Sequence, residues 1–194
     1  MRAVTYPIHF IDFEASRIPV PYLADMKPYE QVAFQFSCHT LALPDATTLQ
    51  HAQWLNLRDV YPNDEFVREL RKVIGDTGTV LVWSHYEKTT LRGVRRQLRE
   101  RGVLDASLAS WFDALVGREV AEGEDETPVD ETRIVDMLKW SQRYFSHPAM
   151  NGSHSIKRVL DSAPVLGPDI LALMAWSAGY YQHPLGEVLP HALP

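Results

Sequence analysis

Residues 8–14 read Ile-His-Phe-Ile-Asp-Phe-Glu, and this stretch decides which fold the rest of the chain completes. Its alternation predicts a buried strand over residues 8–13, with Asp12 and Glu14 on one face and Phe13 on the other. Two carboxylates so spaced can share divalent cations, although such a pair can also be merely exposed at a strand end. The apolar strand before them favours a metal site, because burying carboxylates without a cation costs on the order of several kcal/mol each.

The segments that follow predict an α/β fold. Strands are expected over residues 31–43 and 48–54, joined by a turn at residues 44–46, which gives an antiparallel three-strand meander. A change of period then predicts a helix capped by Asn63 or Asp64, a buried strand over residues 79–83 and a helix over residues 87–101. Further helices are predicted over residues 107–115, 137–144, 155–160 and 169–181, with a strand over residues 132–135. The expected product is one domain, residues 1–194, whose mixed sheet is flanked by helices.

Composition narrows the class of protein. The chain has 194 residues, 45% of them hydrophobic, and a formal net charge of −6, much of it in the segment 119–131. The charge argues against binding nucleic acid by bulk attraction, although a metal ion can bridge two acidic partners. Cys38 is the only cysteine, which excludes an internal disulfide. With no apolar segment of membrane-spanning length, we expect a cytoplasmic protein.

Two residues after the buried strand 79–83 are candidates for the same site. Glu87 begins a predicted helix where a third carboxylate could meet the first two, but an acid there also suits the helix dipole. His85 could act as a general base or ligand, whereas a lone histidine is more often a surface or capping residue. Cys38 and His39 are adjacent on a strand and so point to opposite faces, which argues against a nucleophile pair.

Further candidates follow later in the chain. Asp136 lies at a strand-to-helix junction, where it could bind metal or cap the helix. Ser153 is the predicted cap of the helix 155–160, and Lys157 lies near the start of that helix. Hydroxyls and a lysine at a helix N-terminus can hold a phosphate, although capping alone explains the serines. The helix 87–101 is predicted to carry an outward, arginine-rich face made of Arg92, Arg95, Arg96 and Arg99. This face could follow a nucleic-acid backbone or be an ordinary solvated face.

Several blocks of sequence resemble a known family. Residues 11–22 (IDFEASRIPVPY) and 27–39 (KPYEQVAFQFSCH), with shorter blocks at 83–91, 133–138, 144–148 and 152–160, closely resemble a bacterial family of unknown function. That family belongs to the DnaQ-like, four-carboxylate (DEDD) 3′-5′ exonuclease class of the ribonuclease H-like superfamily. The resemblance covers roughly residues 7–161.

The resemblance implies a ribonuclease H-like fold and a site that binds two Mg²⁺ or Mn²⁺ ions. Asp12 and Glu14 would be the first metal-binding pair, and Glu87 would stand where the class usually carries an aspartate. Asp136 would support them. The expected partner is the 3′ end of DNA or RNA. The resemblance also implies association with another nuclease domain. Arg17, Ser153 and Lys157 are the residues expected to contact the substrate.

One expected residue of the class is missing. No motif supplies the fourth acid, and neither His183, Glu187 nor His191 lies in one, so a truncated or degenerate domain is expected. The leading hypothesis is a metal-dependent 3′-5′ exonuclease. Its alternative is a catalytically incomplete domain that binds nucleic acid or protein. A glycosidase using two carboxylates is a remote third, since the two acids lie on one strand.

Overall fold

A computed structural model describes residues 4–119 and 132–162 of the chain. By its internal contacts the chain divides into two units, Met1–Val135 and Asp136–Pro194. A mixed five-stranded sheet with the order β3-β2-β1-β4-β5 organises the first unit. Its strands are β1 (Ile8–Ser16), β2 (Val32–Leu41), β3 (Gln50–Leu55), β4 (Thr79–Val82) and β5 (Ile134–Asp136). The predicted α/β fold with a mixed sheet is therefore confirmed.

The first three strands form the predicted antiparallel meander. β1 pairs with β2, and β2 pairs with β3. The predicted turn lies at the β2–β3 connection, where the amide of Ala46 donates to the carbonyl of Leu43 at 3.1 Å. β1 is three residues longer than predicted, because its pairing with β2 continues past the acidic residues to Ser16. Strand β4 lies on the other side of β1 and runs parallel to it.

Three helices of the first unit bury the apolar face of this sheet. They are α1 (Asn63–Ile74), α2 (Tyr86–Glu100) and α3 (Ala106–Val116). Each carries apolar residues at helical spacing, and these form one buried core with the inward residues of β1, β2 and β4. Phe13, Phe36 and Trp54 from the three meander strands all contact the ring of Phe66 on α1. The face of β1 opposite Phe13 is therefore the one that carries Asp12 and Glu14.

Two residues, Gly78 and Arg133, fix the start of β4. The sequence alone does not predict this role for either of them. Gly78 has a φ of +86°, and an added Cβ would lie 2.2 Å from the carbonyl oxygen of Pro7, so only glycine fits. Arg133, which precedes β5, donates to the carbonyl oxygens of Ile74, Gly75 and Gly78 at 2.9, 2.8 and 3.0 Å, and also to Thr77. These bonds satisfy carbonyls at the end of α1 that the helix itself leaves open.

The predicted caps of α1 are wrong. The N-cap is Pro62, and no side chain caps the helix. Asn63 is instead the first helical residue and is fully buried. Its side chain accepts from the amide of Ala33 at 2.8 Å and donates to the carbonyl of Gln31 at 3.0 Å, which attaches α1 to the start of β2. Long-range partners of this kind outweigh the local capping preference.

The prediction that Arg95 points outward on α2 is also wrong. Arg95 is 5% exposed, and it donates to the carbonyl of Gly117 at 3.0 Å and to Asp113 at 2.6 Å. It lies four residues after buried Leu91, so helical spacing places it at the edge of the inner face. A guanidinium is tolerated there because it satisfies groups at the end of α3.

The second unit contains α4 (Met137–Tyr144), a 3₁₀ turn (Pro148–Met150) and α5 (Ile156–Asp161). Ser141 on α4 and His154 join through Oγ and Nδ1 at 2.8 Å. The predicted cap Ser153 is displaced by two residues, since Ser155 is the N-cap of α5 and accepts from the amide of Arg158. The predicted helix 169–181 and most of the acidic segment 119–131 lie outside the described residues. Within the described ranges no helix is long and apolar enough to cross a membrane.

Candidate functional site

Asp12 and Glu14 lie on the same face of the central strand β1, as the alternation predicted. Asp12 is paired with Ser37 of β2, and Glu14 is paired with Gln35. The carboxylate of Asp12 is half-buried and accepts from the amide of Phe13 at 3.0 Å, whereas Glu14 is exposed. The register of the pairing shifts directly after Glu14. Such irregularities commonly lie beside active sites, where they redirect side chains.

The parallel pairing of β1 with β4 places Glu87 at the same edge of the sheet. The last paired residues are Phe10 and Leu81, so Asp12 follows the paired segment of β1 by two residues. Glu87 lies in the first turn of α2, the helix that follows β4, and is 5% exposed. Ligand sites of open α/β sheets lie at the carboxyl ends of parallel strands, which is where these acids are. A buried carboxylate at a helix N-terminus also gains from the helix dipole.

His85 is the N-cap residue of α2 and is exposed. Its side chain makes no capping hydrogen bond; the helix instead begins with the amide of Thr89 donating to the carbonyl of His85 at 2.9 Å. The imidazole is therefore not needed to cap the N-terminus of α2. A role as a base or ligand stays a prediction.

The donor atoms of the acidic site suit hard cations, but their number is small. Carboxylate oxygens are the ligands that Mg²⁺ and Mn²⁺ prefer. Within residues 4–119 and 132–162, no group of three or more histidine, cysteine, aspartate or glutamate side chains is placed to hold a metal ion. The two acids of β1 therefore fit a cation by their chemistry, without a third histidine, cysteine, aspartate or glutamate grouped with them in the described part of the chain.

Two further predicted site residues, Arg17 and Asp136, each form a side-chain hydrogen bond to the backbone. Arg17 follows β1 in the first unit, is exposed and donates from Nε to the carbonyl of Tyr29 at 3.1 Å. Asp136 caps α4, and its carboxylate accepts from the amide of Lys139 at 3.2 Å, so the capping alternative is confirmed for this residue. Whether it also supports metal binding stays a prediction.

The predicted phosphate site in the second unit rests on a short helix. Ser153 accepts from the amide of Ser155 at 3.4 Å, and Lys157 is exposed on α5, which has six residues. Substrate contact by Ser153 and Lys157 stays a prediction. The candidate replacements for the fourth acid lie outside the described residues; they are His183, Glu187 and His191.

A polar cluster beside Asp12 was missed from the sequence. Ser37, opposite Asp12, bonds through Oγ to Nε2 of His51 at 3.1 Å, and the ring of His51 stacks on His39 at 4.3 Å between centroids. Burial, followed by the neighbouring His51, lowers the pKa of His39 to about 4. The signal was present in β2, because residues 35, 37 and 39 share the parity that places them on the face of Asp12.

Cys38 and His39 point to opposite faces of β2, as predicted. Cys38 is fully buried in the core, and burial raises the pKa of its thiol to about 11. A thiol held neutral in this way is a poor nucleophile. The exclusion of a cysteine–histidine nucleophile pair is therefore consistent with the structure.

Comparison with known proteins gives two family matches. Residues 149–194 match a family model described as a 3'DNA-binding domain (3'BD), of which residues 149–162 are structurally described. No curated protein and no solved structure matches the chain. Residues 9–155 match the model of a domain of unknown function, DUF2779, and this match spans β1 to the start of α5 and so includes the acidic pair. Because that match covers more than half of the 194 residues, the chain belongs to the DUF2779 family.

Proposed function

We propose that the chain binds nucleic acid at a 3′ end and removes nucleotides from it as a ribonuclease H-like, metal-dependent exonuclease. The observation that carries the proposal is the acidic pair, Asp12 and Glu14, on one face of the central strand beside the carboxyl end of a parallel neighbour. The match of residues 149–194 to a 3'DNA-binding domain supports the nucleic-acid partner. The mixed sheet supports the fold assignment.

Each residue of the site would have a distinct role in hydrolysis. Asp12 and Glu14 would hold Mg²⁺ or Mn²⁺, with Glu87 contributing negative charge from the same edge of the sheet. A bound divalent cation supplies activation of a water molecule and stabilisation of the leaving oxygen in phosphodiester hydrolysis. The amide of Phe13 fixes one oxygen of Asp12, which orients that carboxylate. His85 is exposed at the start of α2, where it could accept a proton.

A second candidate function is nucleic-acid binding without cleavage. It is favoured by the lack of any three-residue metal-ligating group in the described ranges of the chain. In this case Asp12 and Glu14 would not catalyse cleavage. The function would be the DNA binding that the match to a 3'DNA-binding domain suggests. The two candidates share a ligand and differ in whether the phosphodiester bond is broken.

A nuclease assay separates the two candidates. Protein is incubated with 5′-labelled single-stranded DNA or RNA, with Mn²⁺ or with chelator, and the products are resolved by length. The exonuclease predicts a metal-dependent ladder shortened from the 3′ end, reduced at least 100-fold in Asp12→Asn. Asp59→Asn is the matched control, because Asp59 is exposed and lies in the loop after β3.

Each outcome of the assay identifies one candidate. Absence of a ladder from folded protein that still binds the same labelled oligonucleotides, with binding measured by gel shift in chelator, leaves the non-cleaving domain. An equal ladder in Asp12→Asn rejects the acidic pair as the catalytic site. No binding to either nucleic acid rejects both candidates.

A further inference from the structure

A cavity of about 850 Å³ in the first unit lies next to helix α2. Three segments line it. They are Arg17 together with residues 27–31, α2 between Thr89 and Glu100, and residues 117–119 that follow α3. We call this cavity the α2 groove.

The charge of the α2 groove is opposite to that of the chain. Six basic and three acidic side chains line it, although the whole chain has a formal net charge of −6. The basic residues are Arg17, Lys27, Arg92, Arg96, Arg99 and Arg118. Positive charge concentrated in one concave region of an acidic protein indicates an anionic ligand.

The three acids of the groove are each engaged by a base. Glu100 pairs with Lys27 at 2.7 Å, and Glu119 pairs with Arg99. Glu30 is buried and contacts Arg101, which does not line the groove. The acids therefore offset only part of the positive charge of the lining.

Arg17 and Arg96 supply much of the remaining charge. Both are exposed. Arg17 makes one hydrogen bond in the described part of the chain, from Nε to the carbonyl of Tyr29, which fixes the guanidinium at the groove and leaves its terminal nitrogens for a ligand. A planar guanidinium held in this way is suited to a phosphate group.

Tyr29 presents an aromatic ring at the same groove. It lines the groove, and 61% of its surface is exposed. Its backbone has a φ of +58° and is held by its amide, which donates to the carbonyl of Ile18 at 2.9 Å. A bulky residue in this conformation is uncommon, and such positions concentrate at ligand sites. Exposed aromatic rings among arginines are the feature with which proteins stack unpaired bases.

We propose that the α2 groove binds a single strand of nucleic acid, with phosphates against Arg17 and Arg96 and a base stacked on Tyr29. The inference rests on the proposed function, since it assumes that the chain binds nucleic acid. The groove follows α2 for roughly 16 Å from Thr89 to Glu100. That is the length of about four to five stacked nucleotides at ~3.4 Å each.

The location of the groove connects it to the acidic pair. Arg17 follows Glu14 by three residues at the end of β1, and Thr89 follows Glu87 by two residues on α2. Two of the segments that line the groove therefore follow directly, in the chain, the strand and the helix turn that carry the acids. We expect a strand bound in the groove to have its 3′ end near the predicted cleavage site.

Fluorescence anisotropy with a 5′-fluorescein-labelled 12-nucleotide oligothymidylate tests the inference, with chelator present so that no cleavage occurs. The double variant Arg17→Gln/Arg96→Gln removes two groove charges. The matched control Arg58→Gln/Lys72→Gln removes two exposed charges outside the groove and leaves the same net charge. We expect the groove variant to bind at least tenfold more weakly and the control to stay within about twofold.

The salt dependence gives a second readout. Each phosphate contact to a single strand contributes a slope of about −0.7 to log K against log salt, so the groove variant should be flatter by about 1.4. Tyr29→Ala should weaken binding by about five- to tenfold, whereas Tyr29→Phe keeps the ring and should bind as the wild type does. Circular dichroism of each variant confirms that it is folded.

The outcomes distinguish this inference from the proposed function. Wild-type binding with equal affinities in the groove and control variants overturns the groove and leaves nucleic-acid binding intact. Absence of wild-type binding overturns the proposed function and the groove together. Tighter binding of a labelled polyglutamate peptide than of the oligonucleotide, lost in the groove variant, identifies an acidic protein partner and overturns the inference.

Discussion

At the scale of single residues, His9 shows how the fold controls a charge. It is 2% exposed on β1, and its Nδ1 lies 2.9 Å from the hydroxyl of Thr40. Nε2 has no hydrogen-bond partner among the described residues. Burial, followed by the positive charge of Arg133, lowers the pKa of His9 to about 4. The imidazole is therefore neutral in the folded protein at pH 7.

This neutral state predicts a loss of stability in acid. The unfolded chain takes up a proton at His9 near pH 6.5 and the folded chain only near pH 4, so the unfolded state binds more protons between these values. The free energy of unfolding should fall by about 3 kcal/mol from this residue as the pH drops from 7 to 4. His39, whose pKa is lowered in the same way, adds to the loss.

Urea denaturation at pH 7, 5.5 and 4 measures the effect. His9→Asn keeps a polar group near Thr40 but cannot titrate, so its stability should depend less on pH than that of the wild type. His85→Asn, which changes an exposed histidine, should keep the wild-type slope. Parallel slopes in wild type and His9→Asn would contradict the assignment.

The roles of some single residues can be predicted from the sequence, whereas the roles of others cannot. The common face of Asp12 and Glu14 follows from strand period alone, and the structure has it. The role of Asn63 does not follow, because its partners are 30 and more residues away in sequence. The same applies to Tyr29, whose neighbour Arg17 is brought to it by the loop between β1 and β2.

At the scale of elements, Arg133 holds α1 and β4 together. It is 8% exposed, and its guanidinium donates to four carbonyl oxygens between residues 74 and 78. Burial lowers its pKa, with Asp76 opposing the shift. The element boundaries nearby depend on these bonds, since the carbonyls at a helix end need donors.

Replacing Arg133 should therefore destabilise the protein. Arg133→Met retains much of the apolar volume and removes the side-chain donor of the Ile74, Thr77 and Gly78 carbonyls, whereas the Gly75 carbonyl still accepts from Trp111 Nε1 at 2.9 Å. This loss should cost roughly 3–5 kcal/mol of unfolding free energy. Arg68→Met is the control on α1, because its ion pairs with Asp64 and Asp105 are exposed and should contribute about 1 kcal/mol or less. Chemical denaturation compares the two, and equal losses would contradict the role of Arg133.

The sequence predicted which elements exist better than where they end. Each strand and helix predicted within the described ranges is present, because period, turns and apolar runs are local signals. The end of β1 was placed too early, since its last three residues are held by pairing with β2. The cap of α5 was placed two residues early, because Ser153 and Ser155 offer the same hydroxyl and only the backbone conformation distinguishes them.

At the scale of the whole molecule, cation binding should stabilise the folded chain if the acidic pair is a metal site. Mn²⁺ at ten times its dissociation constant would stabilise a one-site protein by about 1.4 kcal/mol, which raises Tm by roughly 3–6 °C for a chain of this size. Asp12→Asn should lose the shift, and Asp59→Asn should keep it. Differential scanning fluorimetry at constant ionic strength measures all three.

The outcome is independent of catalysis. A shift of equal size in the wild type and Asp12→Asn would mean that Mn²⁺ acts through the general negative charge of the chain. No shift in any of them would agree with the non-cleaving candidate. Only a shift that Asp12→Asn removes supports a cation at the acidic pair.

The sequence by itself determined the α/β class, the meander and the placement of two carboxylates on one face, because each depends on the two-residue or 3.6-residue period of neighbouring side chains. Only the tertiary structure decided which polar residues are buried and which basic residues converge. Asn63, Arg95 and Arg133 act through partners distant in the chain, and the α2 groove assembles from three separate segments. Such contacts are set by how elements pack, and no local pattern in the sequence encodes them.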